Sequence, residues 1–69
     1  MKNRFDFEQE IMGCWGIVEE MRTLNEGVLE RGLTPDQVSN ILSGMTELYQ
    51  LKFEILFDTF ENLVRNKEI

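Results

Sequence analysis

The chain of 69 residues contains no histidine and a single cysteine. Without histidine it can form neither a Ser-His or Cys-His nucleophile pair nor the Glu-x-x-His ligand pairs of a di-metal helical bundle. One cysteine excludes an intrachain disulfide, so we expect Cys14 to be a buried, inert thiol, ahead of a reactive one. We therefore expect a protein without enzymatic activity, metal or cofactor.

Basic residues are also scarce, with 7 Lys and Arg against 13 Asp and Glu and a net charge of −6. Because a nucleic-acid surface needs a face rich in lysine and arginine, we expect no direct nucleic-acid binding. The excess acid helps to keep an oligomer soluble, although mimicry of nucleic acid or a local gathering of cations stays open. No apolar run approaches the roughly 18 residues of a membrane span, and no signal peptide is found.

The only proline marks the start of a helix. Thr34 is an N-cap, Pro35 suits the first helical position, and Gln37 completes a capping box. Gly32 is placed to end the preceding helix in the left-handed conformation. The sequence therefore predicts an all-α chain with one domain over 1–69: a helix over about 6–31, a turn over 32–34 and a helix over about 35–65. So short a turn predicts an antiparallel two-helix hairpin.

Two residues compete to cap the first helix. Asp6, with Gln9 as its capping-box partner, is the preferred start, and Asn3 is the alternative. Apolar residues then recur at heptad spacing, as expected for the face of a helix that packs on its neighbour.

The second helix carries three rows of apolar residues on its surface. A single partner helix cannot cover all three. The third row, on its own side, consists of Phe53, Phe57, Phe60 and Val64. A helix that is apolar nearly all round is buried nearly all round, and a chain this short buries too little surface alone. We therefore expect a homo-oligomeric helical bundle, a dimer or larger. The expected oligomer interface is Phe53, Leu56, Phe57, Phe60, Leu63 and Val64.

Two glycines flank the only cysteine and the only tryptophan. In the predicted hairpin, Gly13 lies level with Lys52, and Gly16 lies level with Tyr49. The glycines either let the two helices approach closely or leave a hollow between them. In the second case aromatic walls would stack a base and cations would meet phosphate, which favours a small nucleotide-type ligand. The candidate ligand-binding residues are Gly13, Gly16, Trp15, Arg22, Tyr49 and Lys52.

Two stretches of the sequence resemble a known group of proteins. Residues 5–12, FDFEQEIM, followed by Cys14 and Trp15, and residues 48–54, LYQLKFE, resemble small accessory proteins of large T4-like tailed phages. The resemblance transfers no binding residue. It implies a protein of the host cell cytoplasm that binds and neutralises host factors, either antiviral defence proteins or the nucleotide-derived signals that these systems use.

Three functions are compatible with these observations. The preferred one is a phage anti-defence protein that sequesters a nucleotide-derived signal at a helix–helix or subunit interface. The second is an inhibitor of a host defence protein, with DNA mimicry as one form of it. Its acidic faces are Glu47, Glu54, Asp58 and Glu61 with Glu19 and Glu26. The third is a small structural bundle that takes part in assembly.

Overall fold

The computed structural model describes residues 2–68, so Met1 and Ile69, the two ends of the expected domain, lie outside the described residues. It contains three α-helices: α1 (Arg4–Trp15), α2 (Ile17–Glu30) and α3 (Pro35–Arg65). No strand occurs within residues 2–68, so the expected all-α class is confirmed. Only Gly16 separates α1 from α2, and these two helices together form one bent helix.

The first helix begins at Arg4, earlier than the preferred sequence-based start. The side chain of Asn3 accepts a hydrogen bond from the Asp6 amide at 3.0 Å, and the Asp6 carboxylate accepts one from the Asn3 amide at 2.9 Å. Asn3 is therefore the N-cap, and Asp6 is its capping-box partner inside the first turn. The alternative cap is therefore the one that forms.

The start of α3 has the capping box that the sequence predicts. The Thr34 hydroxyl accepts a hydrogen bond from the Gln37 amide at 3.1 Å, and the Gln37 side chain accepts one from the Thr34 amide at 2.9 Å. Before it, Gly32 has a φ of 66°, the left-handed conformation that favours glycine. These local features separate α2 from α3 over four residues, 31–34.

The bend at Gly16 departs from the single helix expected over 6–31. The Gly16 amide donates to the Gly13 carbonyl at 3.2 Å, an i to i−3 bond that tightens the turn. A Cβ placed on Gly16 would lie 3.2 Å from that carbonyl and 3.4 Å from the Tyr49 hydroxyl. Glycine therefore permits both the tightened turn and the close approach of Tyr49.

Contacts between the bent helix and α3 join distant parts of the chain. The rings of Phe7 and Phe60 have centroids 6.0 Å apart. The residues buried along this seam are Cys14, Leu24, Tyr49, Thr59 and Leu63. The expected burial of Cys14 is confirmed. The hydroxyl of the buried Thr59 donates to the Ile55 carbonyl at 3.1 Å, so it has a hydrogen-bond partner.

The described chain is a thin rod, 50 × 16 × 13 Å in extent. Its radius of gyration is 15.9 Å, whereas a compact domain of this length has one of about 11 Å. Sixteen large apolar side chains within residues 2–68 are between 40% and 74% exposed. Along these same residues, no helix is both long and apolar enough to cross a bilayer.

One residue of the expected oligomer interface is placed differently by the structure. Leu63 is 0% exposed in the single chain, because it faces the bent helix, so it offers no surface to another subunit. Leu56 is partly buried in the same seam. The remaining four expected interface residues, Phe53, Phe57, Phe60 and Val64, are exposed.

The two glycine environments predict opposite effects of alanine. Gly32→Ala places a Cβ on a left-handed residue and should lower the free energy of unfolding by about 1 kcal/mol. Gly44→Ala, inside α3, should raise it by up to about 1 kcal/mol, since alanine is the better helix former. At both positions an added Cβ meets no atom of the described chain within 4 Å. The backbone conformation alone therefore determines whether the free energy of unfolding rises or falls. Urea denaturation measures both, and effects of the same sign would contradict this account.

Candidate functional site

Four of the six candidate ligand residues meet where α1 passes into α2. The Lys52 ammonium lies 3.4 Å from the Gly13 carbonyl oxygen and 4.7 Å from the centroid of the Tyr49 ring. Tyr49 reaches towards Gly16, whose missing Cβ leaves room for the phenol hydroxyl. The cluster thus combines a cation–π contact with a hydrogen bond to a backbone carbonyl.

The two glycines of this cluster differ. The space at Gly16 is occupied by the Tyr49 hydroxyl, which is the close-packing interpretation of the sequence. A Cβ on Gly13, in contrast, meets no atom of the described chain within 4 Å. Gly13 therefore presents bare backbone on the surface beside Lys52, where another molecule can approach closely.

Glu20 is the member of the cluster that the sequence reasoning missed. The Tyr49 hydroxyl donates a hydrogen bond to Glu20 Oε1 at 2.8 Å. The signal for this contact was present, because Glu20 follows Gly16 by four residues and so lies on the same helix face. Its carboxylate adds a negative charge to the cluster, which is therefore closer to neutral than expected.

The environment of Tyr49 keeps its phenol protonated. Burial, followed by the hydrogen bond to Glu20 and the charge of that carboxylate, raises the pKa of Tyr49 to about 12. Desolvation and a nearby negative charge both disfavour a phenolate. At neutral pH Tyr49 is therefore a fixed hydrogen-bond donor and an aromatic surface for Lys52.

Lys52 is a cation without a carboxylate partner. Although it is half-buried, it forms no ion pair with any carboxylate of residues 2–68. Its contacts are the Gly13 carbonyl and the face of Tyr49. A partly desolvated ammonium whose direct contacts are a carbonyl and an aromatic ring can bind a phosphate or another anion.

Trp15 lies apart from this cluster, contrary to the expectation that it forms a wall with Tyr49. It is 68% exposed and lines a cavity of about 320 Å³ that also includes Phe53 and Leu56. Each residue of an α-helix is turned by roughly 100° from the one before, so Trp15 faces about 200° away from Gly13. Within one chain the indole and the Lys52 ammonium are on different flanks of the seam.

Arg22 is also placed away from the cluster. Its Nη1 lies 2.6 Å from Glu19 Oε1, and both side chains are largely exposed. Because Arg22 follows Glu20 by two residues, the two side chains point to opposite sides of α2. Of the two residues expected to meet phosphate, the structure brings only Lys52 into this cluster.

The flank that carries Trp15 is continuous and apolar. A second cavity there, of about 470 Å³, is lined by Phe7, Ile11, Phe53, Leu56, Phe57 and Phe60. It shares Ile11, Phe53 and Leu56 with the cavity beside Trp15. We call the surface formed by Ile11, Trp15, Phe53, Phe57 and Phe60 the aromatic flank.

Among residues 2–68, no group of three or more Cys, Asp or Glu side chains lies close enough to hold a metal ion. No family model, curated protein or solved structure matches the chain.

The Tyr49 environment predicts a shifted titration. Tyr49 is the only tyrosine, so the absorbance of its phenolate should report a midpoint near 12 instead of the ordinary 10. Since the folded state holds this proton more tightly than the unfolded state, the stabilisation is complete below pH 10 and is lost as pH rises towards 12. Glu20→Gln should lower the midpoint by removing the neighbouring charge.

Glu19→Gln is the matched control, because Glu19 pairs with the exposed Arg22 and not with Tyr49. It should leave the phenol midpoint unchanged. An equal shift in both variants, or a wild-type midpoint at the ordinary value, would refute the contact with Glu20.

Proposed function

We propose that the chain is an antiparallel helical hairpin that assembles into a homo-oligomeric bundle through the aromatic flank. The contact pairs support the hairpin, because Phe7, Gly13 and Glu20 meet Phe60, Lys52 and Tyr49 in reversed order. The exposure of the aromatic flank supports assembly, since contiguous apolar surface of this kind marks interaction sites. The subunit interface consists of Phe53, Phe57, Phe60 and Val64 with Trp15.

The assembled protein binds a small nucleotide-type ligand between subunits. The observation that carries this proposal is Lys52, a half-buried cation held over Tyr49 beside the bare backbone of Gly13. Lys52 meets the phosphate. Because Trp15 is on the other flank of its own chain, the indole that stacks the base comes from another copy, in a ring or bundle where the aromatic flank of one subunit meets the Lys52 flank of the next. The ligand site is therefore complete only in the oligomer.

The biological role is sequestration in an infected bacterial cell. The resemblance of residues 5–12 and 48–54 to phage accessory proteins supports a non-enzymatic anti-defence protein of the host cytoplasm. Sequestration needs only tight binding of a nucleotide-derived immune signal, and a cation with aromatic faces supplies such binding. The same exposed flank favours a second candidate, a structural bundle that docks on a larger phage component.

Charge placed on the aromatic flank should separate the subunits. Phe57→Glu should convert the oligomer to smaller species in native mass spectrometry, because a carboxylate buried without a partner costs several kcal/mol. Leu51→Glu is the control, since the two side chains are equally exposed in the single chain, at 57% and 56%, but lie on different faces of α3. Dissociation by both variants, or by neither, would contradict assembly through the aromatic flank.

Removal of the Lys52 charge should weaken nucleotide binding. Lys52→Met keeps most of the aliphatic stem but removes the ammonium, and loss of one charged hydrogen bond should reduce affinity about tenfold or more. Isothermal titration calorimetry against nucleoside mono-, di- and triphosphates and cyclic dinucleotides measures this change. Trp15, the only tryptophan, should report the same event through its fluorescence.

Lys67→Met is the control for general charge effects, because Lys67 lies beyond the end of α3. It should bind as the wild type does, with an unchanged subunit number. If the wild-type oligomer gives neither heat nor a fluorescence change with any of these nucleotides, the sequestration proposal is wrong and the assembly role is favoured.

A further inference from the structure

A third apolar surface lies between α2 and α3, near the turn. It is a groove of about 570 Å³ whose apolar part consists of Leu24, Leu33, Ile41 and Met45. We call it the α2–α3 groove. It shares no residue with the cavities of the aromatic flank, so it lies outside the proposed subunit interface, and it meets the Lys52 site only at Glu20, which also lines the groove.

The rim of this groove is acidic. Glu19 and Glu26 line it from α2, seven residues apart and therefore about 10.5 Å apart on one face of the helix. Within the described residues Glu26 forms no ion pair, and Glu19 pairs only with the exposed Arg22. An exposed pair of this kind contributes little and can exchange partners. Both carboxylates can therefore meet cations of an incoming molecule.

We infer that the α2–α3 groove binds a cationic amphipathic helix of another protein. Its lining spans residues 19–31 of the bent helix, roughly 18 Å or three helical turns. An apolar stripe of a partner helix fills the floor in the helix-in-groove mode. Lysines or arginines seven residues apart on that helix pair with Glu19 and Glu26.

Arg31 gives the partner helix a direction. It lines the turn end of the groove, and it is a cation on an otherwise acidic rim. The C-terminus of a helix carries partial negative charge and attracts a cation. The partner helix therefore lies with its C-terminal end towards Arg31 and its basic residues towards Glu19 and Glu26.

A second copy of this chain does not have the required helix. Its seven basic residues are Lys2, Arg4, Arg22, Arg31, Lys52, Arg65 and Lys67. No two of them are three, four or seven residues apart, so no helix of this chain presents two cations on one face. The charge pattern of the groove therefore points to a different protein.

A model peptide tests this proposal directly. The probe is a fluorescent helix of about 15 residues, with leucine at helical spacing and lysines one heptad apart beside the leucine stripe. Fluorescence anisotropy measures its binding to the full-length protein in its native assembly. A peptide with glutamate in place of lysine, and a scrambled lysine–leucine peptide, are the comparison probes. Both should bind at least about tenfold more weakly.

Charge reversal separates groove binding from general attraction to an acidic protein. Glu26→Lys should weaken binding of the lysine–leucine peptide about tenfold, and Glu47→Lys, which changes the net charge equally, by less than about twofold. Equal weakening by the two variants, equal binding of the scrambled peptide, or no binding to the wild type would each overturn the proposal.

The methionine methyl groups give a readout that needs no variant. Met45 lines the groove, whereas Met12 is exposed on α1 and outside it. In a methyl-labelled sample the Met45 resonance should shift as peptide is added, and the Met12 resonance should not. A shift of Met12 alone would place the peptide elsewhere and refute the assignment.

Discussion

The α3 helix is 31 residues long and has one partner, the bent helix formed by α1 and α2. One partner covers one stripe of a helix, and on α3 that stripe includes Tyr49, Thr59 and Leu63. The phenylalanines beside the stripe stay in contact with water. Because ordering a chain of this length costs on the order of 100 kcal/mol, apolar burial must offset nearly all of it. The exposed rows are therefore where additional stability is available, and a second copy is the simplest way to bury them.

The bend at Gly16 follows from the same packing. Tyr49 places a phenol in the seam, and its hydroxyl reaches Glu20 only because Gly16 has no Cβ in the way. The ring that is fixed in this way supports the Lys52 ammonium, which also reaches the Gly13 carbonyl. One missing side chain thus connects the bend of the backbone, the raised pKa of Tyr49 and the position of the only cation in the cluster.

Counting residues from the turn predicted which side chains are level with each other. Gly13 does meet Lys52, and Gly16 does meet Tyr49, because level depends only on the rise per residue and on the position of the turn. This count does not predict which side of its helix each residue faces. Trp15 is level with the cluster but turned to the other flank, and Arg22 is turned towards Glu19. The caps were predictable because each depends on residues three apart, whereas the approach of Tyr49 to Gly16 joins residues more than thirty positions apart.

The bent helix covers the apolar row of α3 less completely towards the turn. Leu42 is seven residues before Tyr49 and lies on the same row, yet it is 40% exposed, whereas Tyr49 is 4% exposed. The bent helix therefore covers α3 less completely at Leu42 than at Tyr49, and the α2–α3 groove occupies the flank of α3 at this level. The incomplete cover leaves apolar side chains of α3 exposed both on the aromatic flank and in this groove. The aromatic flank is rich in phenylalanine and suited to a copy of the same chain, whereas the groove has an acidic rim that this acidic chain cannot complement.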